Sequence, residues 1–142
     1  MPRRKENRVI IDTNIFISFL IGRRLHNLKD QIIDFKIRLV YSDQLIDELL
    51  IVTQRPKLIK YFPKANIDEL IDLIHKIGDK VSITKEPDIC RDSKDNFLLA
   101  IADKGRADFL VTGDSDLIAL IKYKRTKIIS YKDFERLIGT NA

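Results

Sequence analysis

Cysteine is nearly absent from this chain: Cys90 is the single one in 142 residues. It cannot form an internal bridge, and a chain of this length buries enough surface to fold without one. A lone cysteine fits a reducing compartment, and a cytoplasmic location is expected. Histidine is almost as scarce. His26 and His75 stand too isolated for a zinc site or a histidine-based nuclease. No apolar run approaches the ~20 residues of a membrane-spanning helix. The basic start MPRRKENRV leads into only a short apolar stretch, without the core or small-residue cleavage site of a secretory signal. Residues 1–7 are expected to form a flexible basic arm. A glycine-rich phosphate loop is also missing, which removes nucleotide hydrolysis of the Walker type. Without repeats, low-complexity tracts or a linker, residues 1–142 read as one domain.

Hydrophobic residues make up 44% and charged residues 33% of the chain, the balance of an ordered globular protein rather than a disordered one. The net charge of +5 favours an anionic partner. Basic residues gather in RRKENR, in Gly22–Arg24 and in KYKRTK from Lys122 to Lys127. Each of these clusters reads equally well as a solvated loop.

Apolar patterning alternates strand and helix. Val9–Asp12, Leu39–Tyr41, Val81–Thr84, Phe109–Thr112 and Ile128–Ser130 read as short strands. Ile15–Ile21 reads as a helix behind the capping triplet Asp12-Thr13-Asn14. Ser42 or Asp43 can cap a helix running to Thr53, and Pro56 can open a further short one. Ile67, Leu70, Ile71, Ile74 and Ile77 recur at helical spacing, with Gly78 as the stop. Asp92 or Ser93 can cap a helix from Lys94 to Lys104, and Lys132–Ile138 closes the chain. Short apolar strands separated by helices imply an α/β fold with a mostly parallel sheet of four to five strands, covered on both faces. In such sheets ligands bind beyond the carboxyl ends of the strands, where strand order reverses.

That rule gives the acidic residues places. Asp12 ends an apolar strand, where an unpaired charge costs several kcal/mol. Asp95 lies in the first turn of a helix apolar all round (Phe97, Leu98, Leu99, Ala100, Ile101, Ala102), so this helix start opens into the domain. Asp92, three residues earlier, can do the capping. Asp114 and Asp116 frame a turn through Gly113; one is expected to cap the next helix while the other, for which Asp114 is favoured, faces the site. Glu48 stands beside the stripe Leu45, Leu49 and Val52 and has the weakest support of the set. Two carboxylates ~5 Å apart repel by roughly 3 kcal/mol at an effective dielectric of ~20. A hard divalent cation such as Mg²⁺ or Mn²⁺ cancels that repulsion with oxygen ligands alone.

Taken in order, DTN after the first strand, a helical glutamate, an acidic-capped apolar helix and TGDSDL resemble the PIN-domain family over nearly the whole chain. The TGDSDL form is similar to the toxins of bacterial and archaeal toxin–antitoxin pairs. The resemblance implies a three-layer α/β/α sandwich and metal-dependent cleavage of RNA with Mg²⁺ or Mn²⁺. It implies Asp12, Glu48, Asp95 and Asp114 as the catalytic and metal-binding quartet, with Asn14, Thr112, Asp116 and Asp92 in support. It also implies a small antitoxin protein as partner and a homodimer, for which the Leu45–Val52 and Ile67–Ile77 stripes are candidate surfaces. The basic segments would hold the RNA backbone. A housekeeping RNA-processing nuclease and a catalytically silent RNA- or protein-binding module are the alternatives. A phospho-receiver domain shares the α/β order, but Asp12 stands without the acidic doublet it needs, and Asp88 is a poor acceptor.

Overall fold

A computed structural model of the protein describes residues 6–140. Six strands and seven α-helices follow one another as β1 (Asn7–Ile11), α1 (Thr13–Ile21), α2 (Leu25–Asp34), β2 (Ile37–Tyr41), α3 (Asp43–Thr53), α4 (Lys64–Ile77), β3 (Gly78–Lys80), α5 (Ser93–Lys104), β4 (Phe109–Val111), α6 (Ser115–Leu120), β5 (Lys122–Tyr123), β6 (Thr126–Ile129) and α7 (Tyr131–Thr140). A 3₁₀ turn, Ile59–Tyr61, lies between α3 and α4.

The sheet order is β3-β2-β1-β4-β6-β5, and every pairing is parallel except β5 with β6. Strand order therefore reverses between β1 and β4, where Ile11 lies opposite Val111. Val9, Ile10, Ile11, Leu39, Val40, Leu110 and Val111 are buried on both sides of the sheet, as strands flanked by helices must be. Right-handed crossovers put α1 to α4 on one face and α5 and α6 on the other. Helix α7 returns to the first face: the Tyr131 ring meets Phe19 edge-on at 5.0 Å, and its hydroxyl bonds to Gln31 of α2.

The α/β architecture agrees with the sequence reading; several boundaries do not. The third strand is Gly78–Lys80, not Val81–Thr84. Gly78 does end α4, but in extended backbone (φ −96°, ψ 156°) that passes directly into β3. A Cβ there would sit 2.6 Å from the Tyr41 ring, so glycine is what lets β3 close on β2. Pro56 opens a turn rather than a helix. Helix α2 was not anticipated, although Leu25, Leu28 and Ile32 form its buried stripe. The sheet has six strands rather than four to five because Lys122–Tyr123 folds back on β6 as a two-residue antiparallel edge. Of the expected arm, residues 1–5 lie outside the described residues, while Asn7 already begins β1 and Glu6 pairs with Arg38 at 3.1 Å.

Both stripes named as candidate dimer surfaces are occupied within the chain. Leu45, Leu49 and Val52 of α3, and Ile67, Leu70 and Ile74 of α4, are buried in its own core. The KYKRTK hairpin is also displaced from its expected role. Thr126 begins β6, so the Lys124-Arg125 turn lies at the amino ends of the parallel strands, opposite the carboxyl ends. Lys124 and Arg125 are moreover held by Asp103 at 2.8 Å and Asp108 at 3.2 Å.

Candidate functional site

At the reversal, the ends of β1 and β4 are tied together. The Asp12 backbone N–H donates to Val111 O at 3.0 Å. The Thr112 hydroxyl, fully buried, donates to Asp12 Oδ2 at 2.8 Å and accepts the Asp114 N–H at 3.1 Å. One hydroxyl thus holds the Asp12 carboxylate and the backbone of Asp114, the residues that follow the two strands. Asp12 is also the N-cap of α1, accepting the Asn14 N–H at 3.3 Å on Oδ1. Burial holds its carboxyl above the ordinary range. The Thr112 and Asn14 hydrogen bonds pull the other way, and the neighbouring charges of Glu48 and Asp114 push it further up.

Helix α5 aims its first turn at the same place. Asp92 caps it, its side chain accepting the Lys94 N–H at 2.9 Å. Asp95 is therefore released from capping. It is only 4% exposed, and its Oδ2 has no hydrogen-bond partner among the described residues. Burial first, then the charges of Asp114, Asp92 and Asp12, raise its carboxyl to about 6. An unsatisfied buried carboxylate oxygen is costly in an apo chain, and it is what a cation site leaves when only protein atoms are considered.

The Asp114/Asp116 turn departs from expectation. Asp114 itself caps α6, accepting the Asp116 and Leu117 N–H groups on Oδ1 at 2.8 and 3.4 Å. Capping and the site thus fall on one residue. Asp116 is not excluded by this. Oxygens of Asp95, Asp114 and Asp116 all lie within 4.8 Å of one another. Arg91 holds Asp116 from outside, with Nη2 at 2.9 and 3.0 Å from its two oxygens. Asp12 and Glu48 lie outside that tight triplet; the Asp12 charge raises the Asp95 carboxyl, and the Glu48 charge raises that of Asp12. Glu48, on α3, is paired with Lys94 Nζ at 3.0 Å. Lys94 neighbours Asp95 in sequence, so this pair joins α3 to the start of α5.

Four residues escaped the sequence reading. Arg91 and Lys94 counterbalance the acids. Asn96 is buried, and its side chain accepts the Ile89 and Cys90 N–H groups and donates to Cys90 O, fixing the segment that carries Arg91 and Asp92. Thr13 is buried beside Asp12, and its hydroxyl has no partner among the described residues. The basic residues directly flanking Asp92 and Asp95 were the only available signal. From Glu48 and Lys94 a groove of about 640 Å³ runs outward over Ile51, Val52, Ile83 and Phe97.

The donor set consists of carboxylate oxygens alone. That chemistry suits Mg²⁺ or Mn²⁺ and not the softer metals, and Asp95 Oδ2, without a hydrogen-bond partner among the described residues, offers a lone pair. The cluster can therefore hold a divalent cation.

Among known proteins, the pattern of the family described as PIN domain matches residues 8–116, a span that runs from β1 to Asp116 and contains all the acids of the cluster. The chain is 32% identical over 116 residues to an uncharacterized protein of Methanocaldococcus jannaschii, a match covering 80% of this chain and 74% of that one.

Proposed function

Because the chain belongs to the PIN domain family, whose members are generally nucleases, we propose that it is a divalent-metal-dependent endoribonuclease. One observation carries the reading: the buried Asp95 oxygen without a partner, set among Asp114, Asp116 and Asp12. In this proposal Asp12, Asp95 and Asp114 hold the ion and Glu48 completes the quartet. Asp116, Asp92, Asn14 and Thr112 support them. When bound, Mg²⁺ or Mn²⁺ would supply an acidified water and neutralise charge developing on the phosphate.

The protein's own contribution is positional. Thr112 ties the Asp12 carboxylate to the backbone of Asp114. Asp92 removes the capping demand from Asp95, and Asp114 meets the capping demand of α6 with one oxygen. Glu48 is withheld by Lys94 until an ion or a phosphate competes for one member of the pair. The outcome of such chemistry is a 5′-phosphate and a 3′-hydroxyl. Purified protein incubated with mixed cellular RNA is expected to produce discrete fragments with Mn²⁺ or Mg²⁺ and none with EDTA. RNA that stays intact under every metal condition would sink the reading.

The TGDSDL form supports a finer reading: a cytoplasmic toxin, working as a homodimer and restrained by a small antitoxin. Expression in a bacterial host is then expected to arrest growth, and co-expression of the neighbouring reading frame to relieve the arrest. Normal growth at high expression of active enzyme would favour a housekeeping RNA-processing role. A silent binding module is disfavoured because its acids would have no reason to leave one oxygen buried and unsatisfied.

A further inference from the structure

The hairpin turn lies at the amino ends of the strands, with Lys124 and Arg125 already paired to Asp103 and Asp108, which leaves open where a polyanion is gripped. A second basic surface remains. Between the α1–α2 junction and the 3₁₀ turn lies a groove of about 480 Å³. Its floor is apolar, with Phe19 and Leu20 beneath. Arg23, His26 and Lys60 stand on its walls together with Tyr61. Its one lining carboxylate, Glu69, is already neutralised by Lys29 of α2, and His26 faces Asp30 at 3.4 Å. Arg23 and Lys60 have no carboxylate partner among the described residues.

Tyr61 gives the groove a second character. Its ring is 48% exposed, and Lys60 Nζ stands 5.1 Å from the ring centroid. An exposed ring beside cations that lack carboxylate partners, over an apolar floor, matches the stacking platform and electrostatic funnel by which single strands are held. Arg23 occupies a left-handed backbone position (φ 55°), unfavourable for an arginine, where glycine or asparagine would be easier. Helix α1 begins at Asp12 and ends beside Arg23, so its nine residues span about 14 Å, within reach of a short length of single strand.

We infer that this groove is a single-stranded RNA-binding exosite, with Arg23 and Lys60 contacting phosphates and Tyr61 stacking on a base. The inference builds on the ribonuclease reading, but binding tests it independently of cleavage. A fluorescein-labelled single-stranded RNA of mixed sequence, titrated with the full chain in EDTA across a salt series, gives the affinity by anisotropy. The double variant R23E/K60E is expected to bind at least ~10-fold more weakly. Its salt dependence should flatten by about 1.4 in the log–log slope, ~0.7 for each lost phosphate contact on a single strand. Tyr61→Ala is expected to lose at least ~5-fold. The charge-matched hairpin variant K122E/K127E should stay within about twofold of the parent.

A groove variant that melts like the parent and binds like it overturns the inference, as does loss of binding confined to the hairpin variant. Displacement of the RNA by polyglutamate at equal charge concentration also overturns it, in favour of an acidic protein. Mn²⁺ added afterwards separates the two readings: RNA bound through the groove but never cut defeats the nuclease and leaves the exosite standing.

Discussion

Asp12→Asn is expected to abolish metal-dependent RNA cleavage while leaving the protein folded. Asparagine keeps the shape of the side chain. Its amide oxygen can still accept the Thr112 hydroxyl, now donated at 2.8 Å to Asp12 Oδ2. What turns unfavourable is the 3.3 Å bond from the Asn14 N–H, which would face an NH₂ group. Loss of that cap costs about 1 kcal/mol, offset because a buried charge disappears with it. The fold should therefore survive. Activity should not, because the lost charge is one that holds the ion. Residues that merely orient metal ligands are worth ~10- to 100-fold in affinity or activity, so removal of a ligand charge should exceed ~100-fold. Single-turnover cleavage of a labelled RNA with saturating Mn²⁺, beside a thermal melt, measures both halves. Cleavage within tenfold of the parent would remove Asp12 from the mechanism.

Asp95→Asn should have the opposite effect on stability. The folded protein raises this carboxyl to about 6, against ~3.9 in an unfolded chain. A carboxyl raised in this way favours the folded state when protonated. Its contribution is complete below pH ~3.9 and is lost as pH rises through about 6. A shift of two units corresponds to roughly 3 kcal/mol, an upper bound because the unfolded chain is not structureless. Without metal, the parent should accordingly lose stability between pH 4 and pH 7, with Asp12 adding to the loss because its carboxyl is raised too. Asparagine removes the Asp95 charge, and its NH₂ group can donate to the surrounding carboxylates. At pH 7 in EDTA the variant should melt higher, by up to about 6–12 °C at ~2–4 °C per kcal/mol for a chain of this size. Mn²⁺ should raise the melting temperature of the parent by mass action and that of the variant far less. A variant that melts lower than the metal-free parent at pH 7 would show that Asp95 is a structural residue and that its bare oxygen is satisfied by solvent.

Both predictions concern residues whose unusual placement was readable in the chain, for different reasons. Asp12 was legible because an acid at the end of a buried apolar strand contradicts its surroundings. Asp95 was legible because its helix is apolar all round, so its first turn had to face inward. Spacing offered Asp92 or Ser93 as the cap, and the structure places it on Asp92. By contrast, the sharing of roles between Asp114 and Asp116 was misjudged. Sequence logic assigned one residue to the cap and the other to the site, whereas a carboxylate has two oxygens and Asp114 caps with only one. Glu48 had little local signal because its meaning depends on Lys94, which approaches from another helix. The hairpin's place in the sheet was hidden for a related reason. Six residues rich in lysine look like an anion grip until strand direction puts them at the wrong end of the sheet.

Local chemistry thus determined a great deal by itself: the α/β alternation, the buried strands, most helix caps, and acids placed where charge is uncomfortable. These depend on neighbours within a few residues, and periodicity reports them directly. The tertiary structure alone decided which acids meet and which cations remain available. The Thr112–Asp12 bond joins residues 100 positions apart, and it exists because β4 rather than β3 lies beside β1. Strand order is a property of the whole packed sheet, set by burial on both faces and by the hand of the crossovers, and no single segment carries it. The same packing spent the helix stripes on the core, put the KYKRTK turn at the amino ends of the strands, and left Arg23 and Lys60 without carboxylate partners among the described residues.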